Sequence, residues 1–493
     1  MANPPPKVRW TVFAVLALLA FAIRIPQLGE RPMHTDEAIN GYITGDLLRG
    51  DAYHYDPQDR HGPTLYAIAR PLARLLGAKT FPDLTETQLR LGPVLVGSLT
   101  VLLFGAAVEM FGFIECVVAA TLFAFAPLPL YYNRYFIHET LFVAATFGLI
   151  LSLWRALETN SVLAAALAGF CAGLMLATKE TCVIHFAALG IAAVAFKLAR
   201  PRNPTGSTAM AVAAAAVAFV LTIVLLFTWF GQNWHGIVDI IHAVPSAASR
   251  AGGQGHEKPP WYYVVLLYDG WSGAPFVALA VIGLGTSVLD SVNQKKITAP
   301  VFVGIYAVGI TLIYTLIPYK TPWLALNFWL PMCLFIGVAI MRLAEMRLST
   351  SARRCLLFAG VVLAAAMARD VAWRVFKFPV AEKNPYAYAH TLEGLLGLPP
   401  RLEQLARQEK LAQPLIAVVA ADPWPLPWYL RKFSRVGFWQ PGQDAGSADF
   451  FITSPEAADE LGDKLKGCRP EYFGARPEVV MILWVPASEP ASP

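Results

Sequence analysis

Apolar positions dominate the chain in long unbroken runs, with short polar segments between them. Windows near 8–26, 87–108, 113–131, 139–157, 161–178, 182–199, 209–230, 264–289, 298–317, 322–341 and 354–371 hold almost no charge. Each runs close to the ~20 residues a helix needs to cross the ~30 Å hydrocarbon layer of a bilayer. The pattern predicts about eleven transmembrane helices. After residue 371 it changes. Short apolar runs at 415–420, 449–453 and 479–485 alternate with helical stretches at 400–411 and 455–466, which predicts a small α/β domain. The expected organisation is an α-helical polytopic membrane domain over 1–371, with a long first outer loop at 27–86, and a C-terminal extracytoplasmic α/β domain over 372–493.

Composition excludes the main alternatives. The chain is 56% hydrophobic and only 15% charged, whereas a soluble domain carries about 25% charged residues. A net charge of +5, from 39 basic and 34 acidic residues, gives no basic patch that would argue for a nucleic-acid partner. The six cysteines fall singly, so neither a disulfide framework nor a Cys-x-x-Cys metal pair is expected. The run from Val8 to Ile25 is long for the apolar part of a cleaved leader and lacks a small-residue cleavage site, so it reads as the first span.

Orientation follows from the cations. With the N-terminus in the cytoplasm, Lys7, Arg9, Arg155, Lys197, Lys295, Lys296, Arg342, Arg347, Arg353 and Arg354 all fall inside. Eight of the nine histidines then lie in outer segments, His185 being the exception. The chain is expected in the cell (inner) membrane, with its polar chemistry and second domain facing outward. Nucleotide donors are scarce there, so a reaction at that face needs an activated substrate delivered through the membrane.

Three outer segments carry the candidate chemistry. The first loop opens with Met33-His34-Thr35-Asp36-Glu37-Ala38, placing two acids beside the membrane, where a carboxylate can serve as general base toward a hydroxyl. The bland alternative has Asp36 capping a short helix and Glu37 solvated. The same loop continues through Tyr55-Asp56-Pro57-Gln58-Asp59-Arg60-His61-Gly62-Pro63 into an amphipathic interfacial helix at 64–76. Next comes Tyr131–Glu139, where Arg134 offers a planar fork suited to phosphate and Glu139 opens the following helix; a snorkelling anchor is the alternative. Third, Lys179 and Glu180 sit in a tight joint between two spans, where phosphate binding and a buried ion pair weigh equally. A later segment, Pro318–Trp323, brings Lys320 to the lipid boundary, as a phosphate contact or a membrane anchor.

Taken in order, these motifs resemble the GT-C superfamily of polytopic glycosyltransferases, which use polyprenyl-phosphate sugars. Within it the chain is most similar to the branch named for an archaeal flippase-activity-associated membrane protein, related to the protein O-mannosyltransferases and aminoarabinose transferases. The matching residues include Met33–Ala38, Tyr55-Asp56-Pro57, His61-Gly62-Pro63, Arg134 with Glu139, Ala177–Thr181 and Lys320–Leu324, with Asn384–Thr391 and Trp424–Arg431 in the tail. The resemblance implies an inverting transfer at the outer face to a lipid, glycan or protein acceptor, and hence cell-envelope or protein glycosylation. It implies catalytic roles for Asp36 and Glu37, with the base drawn from that pair. Donor phosphate would be bound by Arg134, Lys179 and Lys320, and substrate by His34, Tyr55, His61, Glu139 and Glu180. Some superfamily members use a divalent metal and others do not; His34, Asp36, His138 and Glu139 are the candidate ligands here. Tyr319 stands where relatives carry an acid. The Trp424–Arg431 loop would help bind the acceptor or close the site. The competing reading is a non-catalytic partner of a lipid-linked-sugar flippase, or a transporter. A transporter should place ionisable groups near the midplane on broken helices, whereas here the acids crowd the outer rim.

Overall fold

The structure, a computed structural model, describes residues 4–199, 208–250, 252 and 255–486. It opens with α1 (Pro6–Arg24), α2 (Thr35–Arg49), α3 (Thr64–Leu75) and α4 (Glu86–Phe111). Then come α5 (Phe113–Phe125), α6 (Pro127–Tyr132), α7 (Glu139–Thr159), α8 (Val162–Leu176), α9 (Cys182–Leu198) and α10 (Thr208–Phe227). Three short helices follow, α11 (Gly236–Asp239), α12 (Ala243–Arg250) and α13 (Tyr262–Tyr268). The bundle closes with α14 (Gly273–Asn293), α15 (Ala299–Leu316), α16 (Ala325–Glu345) and α17 (Thr350–Val371).

Among the described residues, eight helices are long and apolar enough to cross a membrane: α1, α4, α7, α10, α14, α15, α16 and α17. Side chains such as Leu18, Leu221, Val281 and Leu357 point outward from them, as lipid-facing positions do. The chain is an integral membrane protein. Three other expected spans, α5, α8 and α9, are apolar but shorter, at 13, 15 and 17 residues, or roughly 20–26 Å at 1.5 Å per residue. Helix α5 stops because Pro127 disfavours helical backbone at the residue before it; Ala126 is extended, with ψ 152°. Helix α16 is buried along nearly its whole length and forms the axis of the bundle, while α1 and α17 lie at its edge. Helices α8 and α10 approach closely because Gly169 faces the Ala215 backbone and Gly173 faces Thr222, the small-residue packing that lets membrane helices touch.

After α17 a wide helical turn at 372–377 leads into a segment that returns across the bundle. There the Tyr131 and Tyr132 hydroxyls donate to the carbonyls of Pro379 and Tyr386 at 2.7 and 3.0 Å. The remainder forms α18 (Leu398–Gln408), β1 (Ile416–Val419), α19 (Leu426–Tyr429), β2 (Val436–Trp439), β3 (Phe450–Thr453), α20 (Pro455–Glu460), β4 (Cys468–Arg476) and β5 (Val479–Pro486). The sheet order is β2-β1-β3-β5-β4. Strands β2, β1 and β3 are parallel, while β5 and β4 run antiparallel. Strands β1, β3 and β5 and helix α18 match the expectation, while α20 covers only the first half of the helix expected at 455–466. Strands β2 and β4 were not expected. They are the sheet's edges, where Gly437, Pro470 and the charges of β4 are tolerated and no continuous apolar run marks the strand.

The close α8–α10 contact is testable. A Cβ on Gly169 would run into the Ala215 carbonyl, whereas one on Gly360 of α17 meets open space. Gly169→Ala is expected to destabilise the protein by about 1–3 kcal/mol. Gly360→Ala should leave stability unchanged or slightly raised. Thermal unfolding in detergent distinguishes them, and equal melting temperatures would remove this contact as a structural requirement.

Candidate active site

The site is organised around the start of α2. His34 caps this helix. Its Nδ1 accepts the Asp36 amide at 3.1 Å, and the Glu37 carboxylate accepts the His34 amide at 3.1 Å. The ring's proton is therefore on Nε2, which donates to the Tyr388 carbonyl at 3.0 Å. Glu37 is fully buried. Arg90 grips it with two bonds of 2.8 Å, Arg31 lies 3.3 Å away, and the Phe136 amide donates to it at 2.9 Å. Burial alone would push this carboxyl up. Arg90, then Arg31, together with the hydrogen bonds from Arg90 and Phe136, reverse that and hold it well below the usual carboxylate range.

With Glu37 turned inward, Asp36 faces the other way, half-exposed, into a cavity of about 400 Å³. Opposite it, in the joint between α8 and α9, Lys179 Nζ meets both Glu139 oxygens at 3.0 and 3.1 Å. His61 Nδ1 donates to Glu180 Oε2 at 3.0 Å, and His138 Nε2 donates to the Gly62 carbonyl at 3.1 Å. Burial, then the charges of His61 and Lys179, push the His138 pKa well below that of a free imidazole, so it stays neutral. The first loop is pinned to the α8–α9 joint by backbone bonds from Gly62 to Thr178 and from Thr64 to Ala177, both 3.2 Å. Only glycine fits at 62, because a Cβ would strike the Ala177 carbonyl. The cavity's other wall is apolar, with Ile137, Ile184, Ile317 and Leu324. It is an amphipathic pocket at one end of a membrane bundle.

The structure thus gathers Asp36, His61, His138, Glu139, Lys179 and Glu180. It does not gather the rest. Glu37 is sequestered by its arginines rather than presented to a substrate. His34 is spent as a helix cap, not as a ligand. Tyr55 is buried against Phe227, with ring centroids 5.0 Å apart. Arg134 bonds the Pro26 carbonyl and packs on Phe376, lining a different cavity. Lys320 is buried and donates to the Ile317 carbonyl, so the lipid-facing cation expected there is turned inward. The four candidate metal ligands also fail to converge. His34 and His138 each commit Nε2 to a carbonyl, and Glu139 is held by Lys179. Among the described residues, no group of three or more His, Cys, Asp or Glu is placed to hold a metal ion.

Two charged residues of the pocket were not singled out from the sequence, although both stand in the Tyr55–Pro63 stretch. Asp59 and Arg60 line the cavity, with Arg60 Nε 3.6 Å from Asp59. Among the described residues that Nε has no hydrogen-bond partner. Tyr314, Tyr319 and Trp323 complete the wall. The Trp424–Arg431 loop, in contrast, does not line the pocket. It clamps the first loop from behind: Trp428 Nε1 donates to Glu86 at 2.7 Å, Arg431 to the Leu84 carbonyl at 3.0 Å, and the Met33 amide to the Tyr429 hydroxyl at 2.8 Å.

Residues 61–229 match the sequence profile of the dolichyl-phosphate-mannose-protein mannosyltransferase family. No curated protein matches the chain by sequence. In fold it is similar to ArnT from Cupriavidus metallidurans bound to undecaprenyl phosphate, at 16% identity and TM-score 0.64 over 95% of this chain and 97% of that one. It is similar also to the oligosaccharyltransferase AglB from Archaeoglobus fulgidus in complex with an inhibitory peptide and a dolichol-phosphate. That likeness has 11% identity and TM-score 0.57 over 98% of this chain and 75% of that one. The arabinofuranosyltransferase AftD from Mycobacteria aligns with 99% of this chain and 40% of its own length, at 15% identity and TM-score 0.51.

The Glu37 arrangement predicts a stability cost and a pH signature. Glu37→Gln leaves Arg90 buried without its counter-charge and should cost about 3–5 kcal/mol. The folded state holds this carboxyl below its unfolded value of about 4.3. Its contribution is therefore complete above about pH 5 and is lost as pH falls toward the lower folded value. Unfolding curves for both proteins should converge on acidification; a gap that stays constant down to about pH 3 would contradict the assignment.

Proposed function

We propose that this chain, a polytopic membrane glycosyltransferase of the GT-C superfamily, transfers a sugar from a polyprenyl-phosphate donor to an acceptor hydroxyl at the outer membrane face, with inversion. The observation that carries this reading is the single cavity in which solvent-accessible Asp36 faces the cations Arg60 and Lys179 beside an apolar wall. Asp36 has no arginine or lysine within ion-pair distance among the described residues, so its carboxylate is available to a substrate proton.

In this mechanism the acceptor hydroxyl attacks the anomeric carbon of the donor while Asp36 takes its proton. The bond from that carbon to the phosphate oxygen breaks on the opposite side, and the polyprenyl phosphate leaves with the electron pair. A single displacement of this kind inverts the anomeric centre. Arg60, His61 and Lys179 meet the growing phosphate charge, with Lys179 fixed in place by Glu139 and His61 by Glu180. The isoprenoid chain follows Ile137, Ile184, Ile317 and Leu324 toward the lipid. Holding both reactants at one membrane surface supplies orientation. The polyprenyl phosphates named with ArnT and AglB support this donor class, and the cation distribution supports the outward orientation.

The test uses purified protein in lipid with synthetic polyprenyl-phosphate sugars. Asp36→Asn should lower transfer by about 10²–10⁴-fold while leaving donor binding and melting temperature near wild type. Arg60→Gln should instead weaken donor capture roughly tenfold. Full activity in Asp36→Asn would rule Asp36 out as the base.

A further inference from the structure

A second cavity, of about 250 Å³, opens at the same end of the bundle and shares no lining residue with the first. Its base is formed by Arg31, from the segment after α1, and Arg134, from the α6–α7 loop, both more than nine-tenths buried. Lys377 stands exposed at its mouth, with Glu30 and Glu393, which are also exposed.

The buried charges here do not balance, although Glu30 and Glu393 offset part of the excess from the exposed mouth. Arg24, Arg31, Arg90 and Arg134 are all buried, and among the described residues the one buried carboxylate that meets them, Glu37, is taken chiefly by Arg90. Among the described residues, Arg24 and Arg134 donate only to neutral carbonyls, those of Ala20, Phe123 and Pro26. Burial, then repulsion from Arg31, Arg90 and Arg24, pushes the Arg134 pKa down to about 9. Among the described residues, the Nε atoms of Arg31 and Arg134 are buried without a hydrogen-bond partner. A buried N–H left unpaired costs about 1–3 kcal/mol, more for a charged group, and fixed cations lining a cavity attract a counter-ion.

We propose that this cavity is a binding site for a phosphate-type oxyanion, gripped by Arg31 and Arg134 at its base and by Lys377 at its mouth. Guanidinium forks suit phosphate oxygens. The volume holds such an anion with several waters, at about 30 Å³ per water. The chemistry is shared by a lipid headgroup phosphate and by free phosphate. The site stands on its own geometry and does not depend on the catalytic role of Asp36.

The experiment measures melting temperature of the full chain in two arms. One titrates inorganic phosphate against chloride at matched ionic strength, with the protein in neutral-lipid nanodiscs. The other compares neutral nanodiscs with nanodiscs containing phosphatidylglycerol. Wild type should be stabilised saturably in at least one arm: the first identifies free phosphate, the second a lipid headgroup. Arg134→Gln should weaken the apparent affinity roughly tenfold or more. Lys377→Gln, an exposed position that tolerates change, should weaken it severalfold, and Lys383→Gln, outside both cavities, should not alter it. No stabilisation of wild type in either arm, or an unaltered response in Lys377→Gln together with Arg134→Gln, would overturn the site. If Arg134→Gln does not fold, the Lys377→Gln comparison decides.

Discussion

The structure depends on one buried carboxylate. Glu37 has no exposed surface, and a charge in that position is tolerable only when it is paired and fully hydrogen-bonded. Its bonds come from four separate segments: Arg31 after α1, the His34 amide at the start of α2, Arg90 inside α4 and the Phe136 amide before α7. Arg90 also donates to the carbonyls of Leu28, Arg31 and Pro32. This stretch of backbone, which leaves α1 without regular structure, thereby finds the partners that a membrane-proximal chain needs. An arginine inside an apolar helix is costly; here it is the fixed point on which the first loop is built.

The rest of the site hangs from that point through contacts distant in sequence. The cap of α2 is completed by the Tyr388 carbonyl, and the Thr391 hydroxyl donates to the Met33 carbonyl at 2.6 Å. The residues around α19 press on the same loop, with Trp428 packed against Gly41. The far end of the loop is anchored by Gly62 on the α8–α9 joint. The C-terminal part of the chain therefore works from outside the cavity, holding the loop that carries Asp36 rather than entering the pocket. Sites held by supporting contacts of this kind keep their geometry when the substrate arrives.

This division explains what the sequence did and did not reveal. Membrane helices are legible because hydropathy is a local property, and polar residues at their ends mark the polar rim of the bundle. That is why Asp36, His61, Glu139, Lys179 and Glu180, which line one cavity in the structure, stand out in the sequence. Which of two adjacent acids turns inward is not local. It is decided by Arg90, 53 residues along the chain. Arg134 and Lys320 stand at helix ends as cations suited to a donor phosphate, and nothing local shows that neither lines the cavity of Asp36. Their contacts with the Pro26 and Ile317 carbonyls emerge only from packing. Arg60 stands in the Tyr55–Pro63 stretch, yet nothing in its sequence spacing tells a cavity-lining side chain from a solvated one. The edge strands β2 and β4 escaped for the same reason: edges are permitted to be polar.

The two acids also show why adjacency need not mean shared chemistry. A carboxylate that accepts from two arginines and two amides, with no solvent contact, is a poor proton acceptor and cannot be reached by a hydroxyl. The neighbouring carboxylate, one residue away and about 100° around the helix, has solvent access and its backbone amide held by His34. Two neighbouring carboxyls held in different surroundings, one buried against arginines and one open to solvent, are suited to different tasks. The inward acid fixes the helix, and in fixing it, it determines where the outward acid points. A lengthened side chain at 36 or a shortened one at 37 would break this arrangement in different ways. Aspartate at 37 would fall short of Arg90 and release the loop, whereas glutamate at 36 would keep the loop and shift the carboxylate deeper into the pocket. The order Asp-Glu, rather than the mere presence of two acids, is the feature that the geometry requires.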